Sequence, residues 1–86
     1  MGPLYRYVPV WRRESKAVAL YRCFEVVGVG FCVQSKDYFS PGSHEDQCAQ
    51  LERQFVELLF EQAPEERSGV HASLEAAIQA FEDDFD

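Results

Sequence analysis

The chain has 86 residues, which suits one domain and leaves no room for a deep catalytic cleft plus a scaffold to hold it. At 47% hydrophobic and 14% aromatic residues it can bury a core, which excludes a disordered chain. The net charge of −7 is uneven: residues 1–36 carry six Lys and Arg against two acidic residues, and residues 37–86 carry two against thirteen, so the halves stand at +4 and −11.

The cysteines, Cys23, Cys32 and Cys48, are odd in number and irregularly spaced, a poor disulfide framework. The first residues lack the charged start and apolar run of a signal peptide, and no apolar run approaches the ~20 residues of a membrane span. The expectation is a cytoplasmic protein with no membrane partner.

Residues 4–13 are rich in Tyr, Val and Trp, which suit a pleated surface. Pro9 lies inside this run and cannot donate to a ladder, so the first strand is expected at a sheet edge. A polar interruption, Arg13-Glu14-Ser15, leads into a second, central strand over 16–26. Gly28 and Gly30 supply the next turn, and a third strand follows over 30–36. With Arg12 opposite Lys16 and Val26 opposite Gly30, the period of two puts Arg6, Arg12, Lys16, Arg22 and Lys36 on one face with Val8, Val10, Val18, Leu20 and Phe24. Tyr5, Tyr7, Trp11, Ala17, Ala19, Tyr21, Cys23, Phe31 and Val33 then form the face under the helices. A slip of one residue at either turn would exchange these sets.

A first helix is expected over 42–62, started by Ser40-Pro41 or by Ser43 with Asp46 and ended by Pro64. Its stripe is Cys48, Leu51, Phe55, Leu58 and Leu59. Ala49, Val56 and Phe60 form a second strip about 100° round, which must meet the second helix or another molecule. After a polar loop with room for one helical turn past Pro64, Ser73 caps a second helix over 73–83, with Leu74, Ala77, Ile78 and Phe81 as its stripe and Phe85 as a candidate extension. Glu82, Asp83, Asp84 and Asp86 crowd its C-terminal end, where the helix dipole disfavours negative charge. Either they are a solvated tail, or they meet a basic surface on this sheet or on a partner. The fold class is therefore α+β over a single domain, residues 1–86: a three-stranded antiparallel meander followed by two helices packed on one face, βββαα.

No chemistry-bearing motif emerges. Cys23, Cys32, His44 and Cys48 have the ligand types of a structural zinc site, but Cys23 and Cys32 are too far apart for a knuckle and fall on opposite faces. Cys48 with His44 is the one local thiol–imidazole pair, and no oxyanion site or orienting acid accompanies it. The carboxylates of the first helix read as a solvated face. Gly28-Val29-Gly30 is a turn and not a phosphate loop. The expectation is a non-enzymatic protein with no metal and no cofactor.

The function expected from these patterns is protein–protein interaction or regulation, with another protein or a second copy of the chain as partner. The candidate surface residues are Arg6, Arg12, Arg22, Lys36 and Leu20 on the sheet, Val56 and Phe60 on the first helix, and Glu82, Asp83 and Asp84 on the second. An alternative is an acidic inhibitor of the kind mobile elements encode, whose carboxylates mimic nucleic-acid phosphates and block a basic site. A third reading, anion or nucleic-acid binding by the arginines, is disfavoured by the acidic balance and the lack of a nucleic-acid motif.

Overall fold

The protein is described here by a computed structural model covering residues 2–42 and 45–84. Ser43, His44, Phe85 and Asp86, which entered the capping, metal and C-terminal readings, lie outside the described residues. Three strands, β1 (Tyr5–Arg13), β2 (Val18–Val26) and β3 (Gly30–Phe39), form one antiparallel sheet in the order β1-β2-β3. Among the described residues three helices follow: α1 (Glu45–Glu61), a short α2 (Pro64–Ser68) and α3 (Leu74–Asp84). This is the α+β, βββαα arrangement that the sequence implies, with Pro9 on an edge strand. Among the described residues no helix is long and apolar enough to cross a membrane.

The first hairpin differs from the sequence reading by three residues. Arg13, not Arg12, ends the ladder, and it pairs with Val18. Residues 14–17 make the connection, closed by the Glu14 amide donating to the Ala17 carbonyl at 2.9 Å. Lys16 therefore belongs to the turn. An odd slip changes the face of every β1 side chain relative to β2. Val8 and Val10 now stand with Cys23 and Tyr21, and Tyr7 and Trp11 with Phe24 and Leu20. The second hairpin begins as expected, Val26 opposite Gly30 and Phe24 opposite Cys32. A bulge then intervenes between Arg22 and Cys23, so that Arg22 meets Ser35 and Tyr21 meets Lys36.

β2 is buried along almost its whole length, on both faces. Such a strand needs cover on both sides. The two long helices accordingly take opposite faces, where the sequence reading had placed them together. α3 lies over Ala19, Tyr21, Cys23 and Val33, contributing Ala77, Leu74, Ile78 and Phe81. Its start is fixed by the Ser73 hydroxyl, which accepts from the Ala76 amide at 3.1 Å. α1 lies over Phe24, Val26 and Cys32 through Phe55. The Phe55 ring stacks on Phe24 with centroids 5.6 Å apart and meets Tyr7 at 5.0 Å.

Residues 64–71 fasten the edge of β3. Pro64 occupies the first turn of α2, where its missing N–H costs nothing. The Ser68 hydroxyl donates to the Val33 carbonyl at 2.6 Å and accepts from its amide at 3.2 Å. Phe31 and His71 exchange backbone hydrogen bonds of 2.8 and 2.7 Å. Gly30 makes this approach possible, because a Cβ there would stand 2.5 Å from Val70 Cγ1 and 2.6 Å from the His71 carbonyl oxygen. Gly30→Ala is expected to destabilise the domain by about 1–2 kcal/mol in urea titrations, with the Phe31 and His71 amides losing hydrogen-exchange protection. A change below about 0.5 kcal/mol would mean that this approach does not hold the edge.

Candidate functional site

Two ionic clusters organise the surfaces of the sheet. On the α3 face, Glu82 receives three partners. Lys36 Nζ lies 2.8 Å from Glu82 Oε1, Arg12 Nη1 lies 3.5 Å from it, and the Tyr21 hydroxyl donates to it. Lys36 also sits over the Tyr21 and Tyr38 rings at 5.0 and 4.8 Å, and Arg12 over Tyr21 at 5.2 Å. The bulge in β3 brings Lys36 to this side. The hydrogen bond from Lys36, then that from Tyr21, holds the Glu82 carboxyl below its usual range. Burial of Lys36 opposes its charge, but bonds to Glu82, Tyr38 and Tyr21 outweigh this and raise its pKa. The carboxylate set against the α3 dipole thus meets the basic surface of its own sheet.

On the α1 face the centre is Arg22, only 3% exposed. Its Nε lies 2.6 Å from Asp37 Oδ2 and its Nη1 2.9 Å from Glu52 Oε2 on α1. Nη1 also reaches the Tyr7 hydroxyl at 3.4 Å, and the guanidinium covers the Phe55 ring at 4.9 Å. A buried charge with two carboxylate partners is a structural tie between α1 and the sheet.

The expected basic strip therefore divides. Arg6, Arg12 and Lys36 share the α3 face, and Arg22 lies on the other. Arg6 is exposed but bonded to Glu25 at 2.6 Å. Leu20 and Arg22, read as surface residues from the sequence, are buried because α1 covers their face. Asp83 accepts from Gln79 at 2.9 Å, and Asp84 is exposed on the rim of a depression shared with Gln34 and Arg67. A second depression, about 470 Å³, opens between β3 and α3 and is lined by Ser35, Lys36, Tyr38, Arg67 and Glu82 among others.

Val56 and Phe60 remain on the outside of α1, joined by Leu59; Phe60 is 88% exposed. Cys48 is exposed, and Cys23 and Cys32 are buried on opposite faces of the sheet. Burial pushes the Cys23 thiol up to about 12 and the Cys32 thiol to about 11, so both stay protonated and unreactive at neutral pH. Among the described residues no group of three or more His, Cys, Asp or Glu side chains is placed to hold a metal ion.

Sequence reasoning missed Tyr21, Asp37, Glu52 and Phe55 as parts of these clusters. For Asp37, Glu52 and Phe55 the signal was the unusual burial implied for Arg22, an arginine inside a run of nine otherwise mostly apolar strand residues. No protein-family model, curated protein or solved structure matches the chain.

Proposed function

We propose that the chain is a small non-enzymatic interaction protein that docks a partner protein on the outer strip of α1, Val56, Leu59 and Phe60. One observation carries the reading: α3 lies on the opposite face of the sheet, so among the described residues nothing covers this strip. An exposed Phe beside two branched aliphatic residues is the kind of anchor that interfaces use. Glu57 and Glu61 lie on the same helix, and with Arg53 they give the strip a charged, mainly acidic rim. A complementary partner presents an apolar ridge flanked by basic residues, such as an amphipathic helix.

Two facts weigh against the other readings. The cations Arg6, Arg12, Arg22 and Lys36 are each paired with a carboxylate of the chain itself, which leaves them poorly available to phosphates. Glu82, the first of the acidic residues offered to a basic partner, is turned inward onto Lys36 and Tyr21. Among the described residues the acidic-inhibitor reading then rests on Asp83 and Asp84.

The test is capture of partners by the tagged chain at rising salt, with Phe60→Glu and an Asp83→Asn/Asp84→Asn variant in parallel. The fold should tolerate Phe60→Glu within about 0.5 kcal/mol, because the side chain is exposed. A partner that resists salt, survives the Asp83/Asp84 change and is lost by at least about tenfold with Phe60→Glu supports the proposal. A partner released by modest salt and indifferent to Phe60→Glu overturns it in favour of the acidic reading.

A further inference from the structure

The sheet has two edges, and the chain treats them differently. On β1 the backbone of Pro9 points outward, since Pro9 pairs with Arg22, whose own backbone groups face β3. The middle of that edge thus lacks a donor, a common protection against strand addition. On β3 the first half of the edge is closed by the chain itself, through His71 on Phe31 and Ser68 on Val33. The bulge then shifts the alternation by one residue. Beyond it the outward-facing backbone groups belong to Lys36 and Tyr38. Among the described residues no backbone partner meets them, and the 470 Å³ depression opens beside them.

We propose that this open stretch, residues 35–39, pairs antiparallel with the same stretch of a second copy, joining two sheets into one of six strands. A two-fold axis through Asp37 places Lys36 opposite Tyr38 of the second copy, and Ser35 opposite Phe39. The outward groups of Lys36 and Tyr38 are then satisfied reciprocally. The length is self-consistent. The stretch is bounded on one side by the bulge and the Ser68 contact, and on the other by Ser40-Pro41, where the strand has ended and Pro41 has no N–H to give. The side chains also match on the α3 face, where Lys36 already lies 4.8 Å over its own Tyr38 ring and gains a second ring across the axis. The two Asp37 carboxylates meet on the other face, each held by a buried Arg22 at 2.6 Å. Because the axis stands perpendicular to the sheet, both α1 strips would lie on one side of the dimer and offer a bivalent surface.

So short a ladder, between chains each carrying a net charge of −7, gives a weak dimer, with a dissociation constant on the order of 100 µM that tightens with added salt. The experiment combines light scattering from about 10 µM to about 1 mM with amide hydrogen exchange on the unaltered chain. The mass should rise from 9.9 kDa towards twice that value, and the Lys36 and Tyr38 amides should exchange several-fold more slowly at the high concentration. Tyr38→Pro removes an outward N–H without touching the β2 ladder and should hold the chain monomeric, while Phe60→Glu should leave the dimer intact. A monomer at every concentration overturns the proposal. So does a dimer in which the Lys36 and Tyr38 amides stay unprotected, or one lost with Phe60→Glu instead of Tyr38→Pro. The surface is separate from the α1 strip, so its failure leaves the docking reading standing.

Discussion

Arg22→Ala should destabilise the domain by about 3–5 kcal/mol, most of it from the carboxylate left behind. The guanidinium is 3% exposed and Asp37 19%, so removing the cation leaves a mostly buried carboxylate facing apolar surface. Glu52, at 61% exposed, rehydrates and loses little. Phe55 loses the cation that covers its ring, which loosens the anchor of α1. A domain of this size has a total stability of about 4–13 kcal/mol, so the loss is a large share of it and the variant should melt roughly 15–30 °C lower. Removing both charges, as in Arg22→Met/Asp37→Leu, should recover much of the loss, because no uncompensated charge then stays buried. Thermal and urea unfolding of the single and double variants measure this coupling. A single variant within about 1 kcal/mol of the unaltered chain would mean that Arg22 is hydrated and does not tie α1 to the sheet.

Glu82→Gln should cost about 2–3 kcal/mol at pH 7. The amide preserves shape but withdraws the charge from Lys36, only 13% exposed, and from Arg12. The effect has a defined pH signature. The carboxyl of Glu82 titrates lower in the folded chain than in the unfolded one, so the unfolded chain binds protons more readily. The contribution is whole above the unfolded value of roughly 4.3 and disappears as pH falls through the folded value. The difference between Glu82→Gln and the unaltered chain should therefore be full at pH 7 and close to zero near pH 2. On the alkaline side the sign reverses. Lys36 and Tyr5 both titrate higher in the folded chain, Tyr5 at about 12 because it donates to Glu65 and is partly buried. Their contributions are whole below roughly pH 10 and fall away above it. A Glu82→Gln deficit that persists unchanged below pH 3 would show that the carboxylate's charge is not what Lys36 uses.

Element order, strand count and the edge position of Pro9 were legible in the sequence, because turn residues and the two hydrophobic periods mark them locally. Ser73 as a cap and Pro64 as a helix stop were readable for the same reason. The register of the first hairpin was not. Arg13-Glu14-Ser15 looks like a three-residue turn, and nothing local says that Lys16 and Ala17 join it. The bulge at Gln34 was equally silent, since its cause is pairing across the sheet. The two departures offset each other for Arg6, Arg12 and Lys36, which still share a face, but they carry Arg22 to the other side. The placement of the helices has a signal in the composition of β2. Val18, Leu20, Phe24 and Val26 make one face of β2 apolar while Ala19, Tyr21 and Cys23 do the same for the other. A strand apolar on both faces calls for a helix on each. Once α1 and α3 are separated, the exposure of Val56 and Phe60 follows, as does the inward turn of Glu82.

The separation of the helices is the claim on which the docking surface stands, and aromatic cross-relaxation in a solution spectrum tests it most directly. The predicted result is contact between the Phe55 ring and those of Phe24 and Tyr7, and between the Phe81 and Tyr21 rings, where the centroids lie 5.6, 5.0 and 6.5 Å apart. No contact should join Phe55 or Phe60 to Phe81. Cross-peaks between the α1 and α3 rings would place both helices on one face, cover the outer strip of α1 and contradict the account.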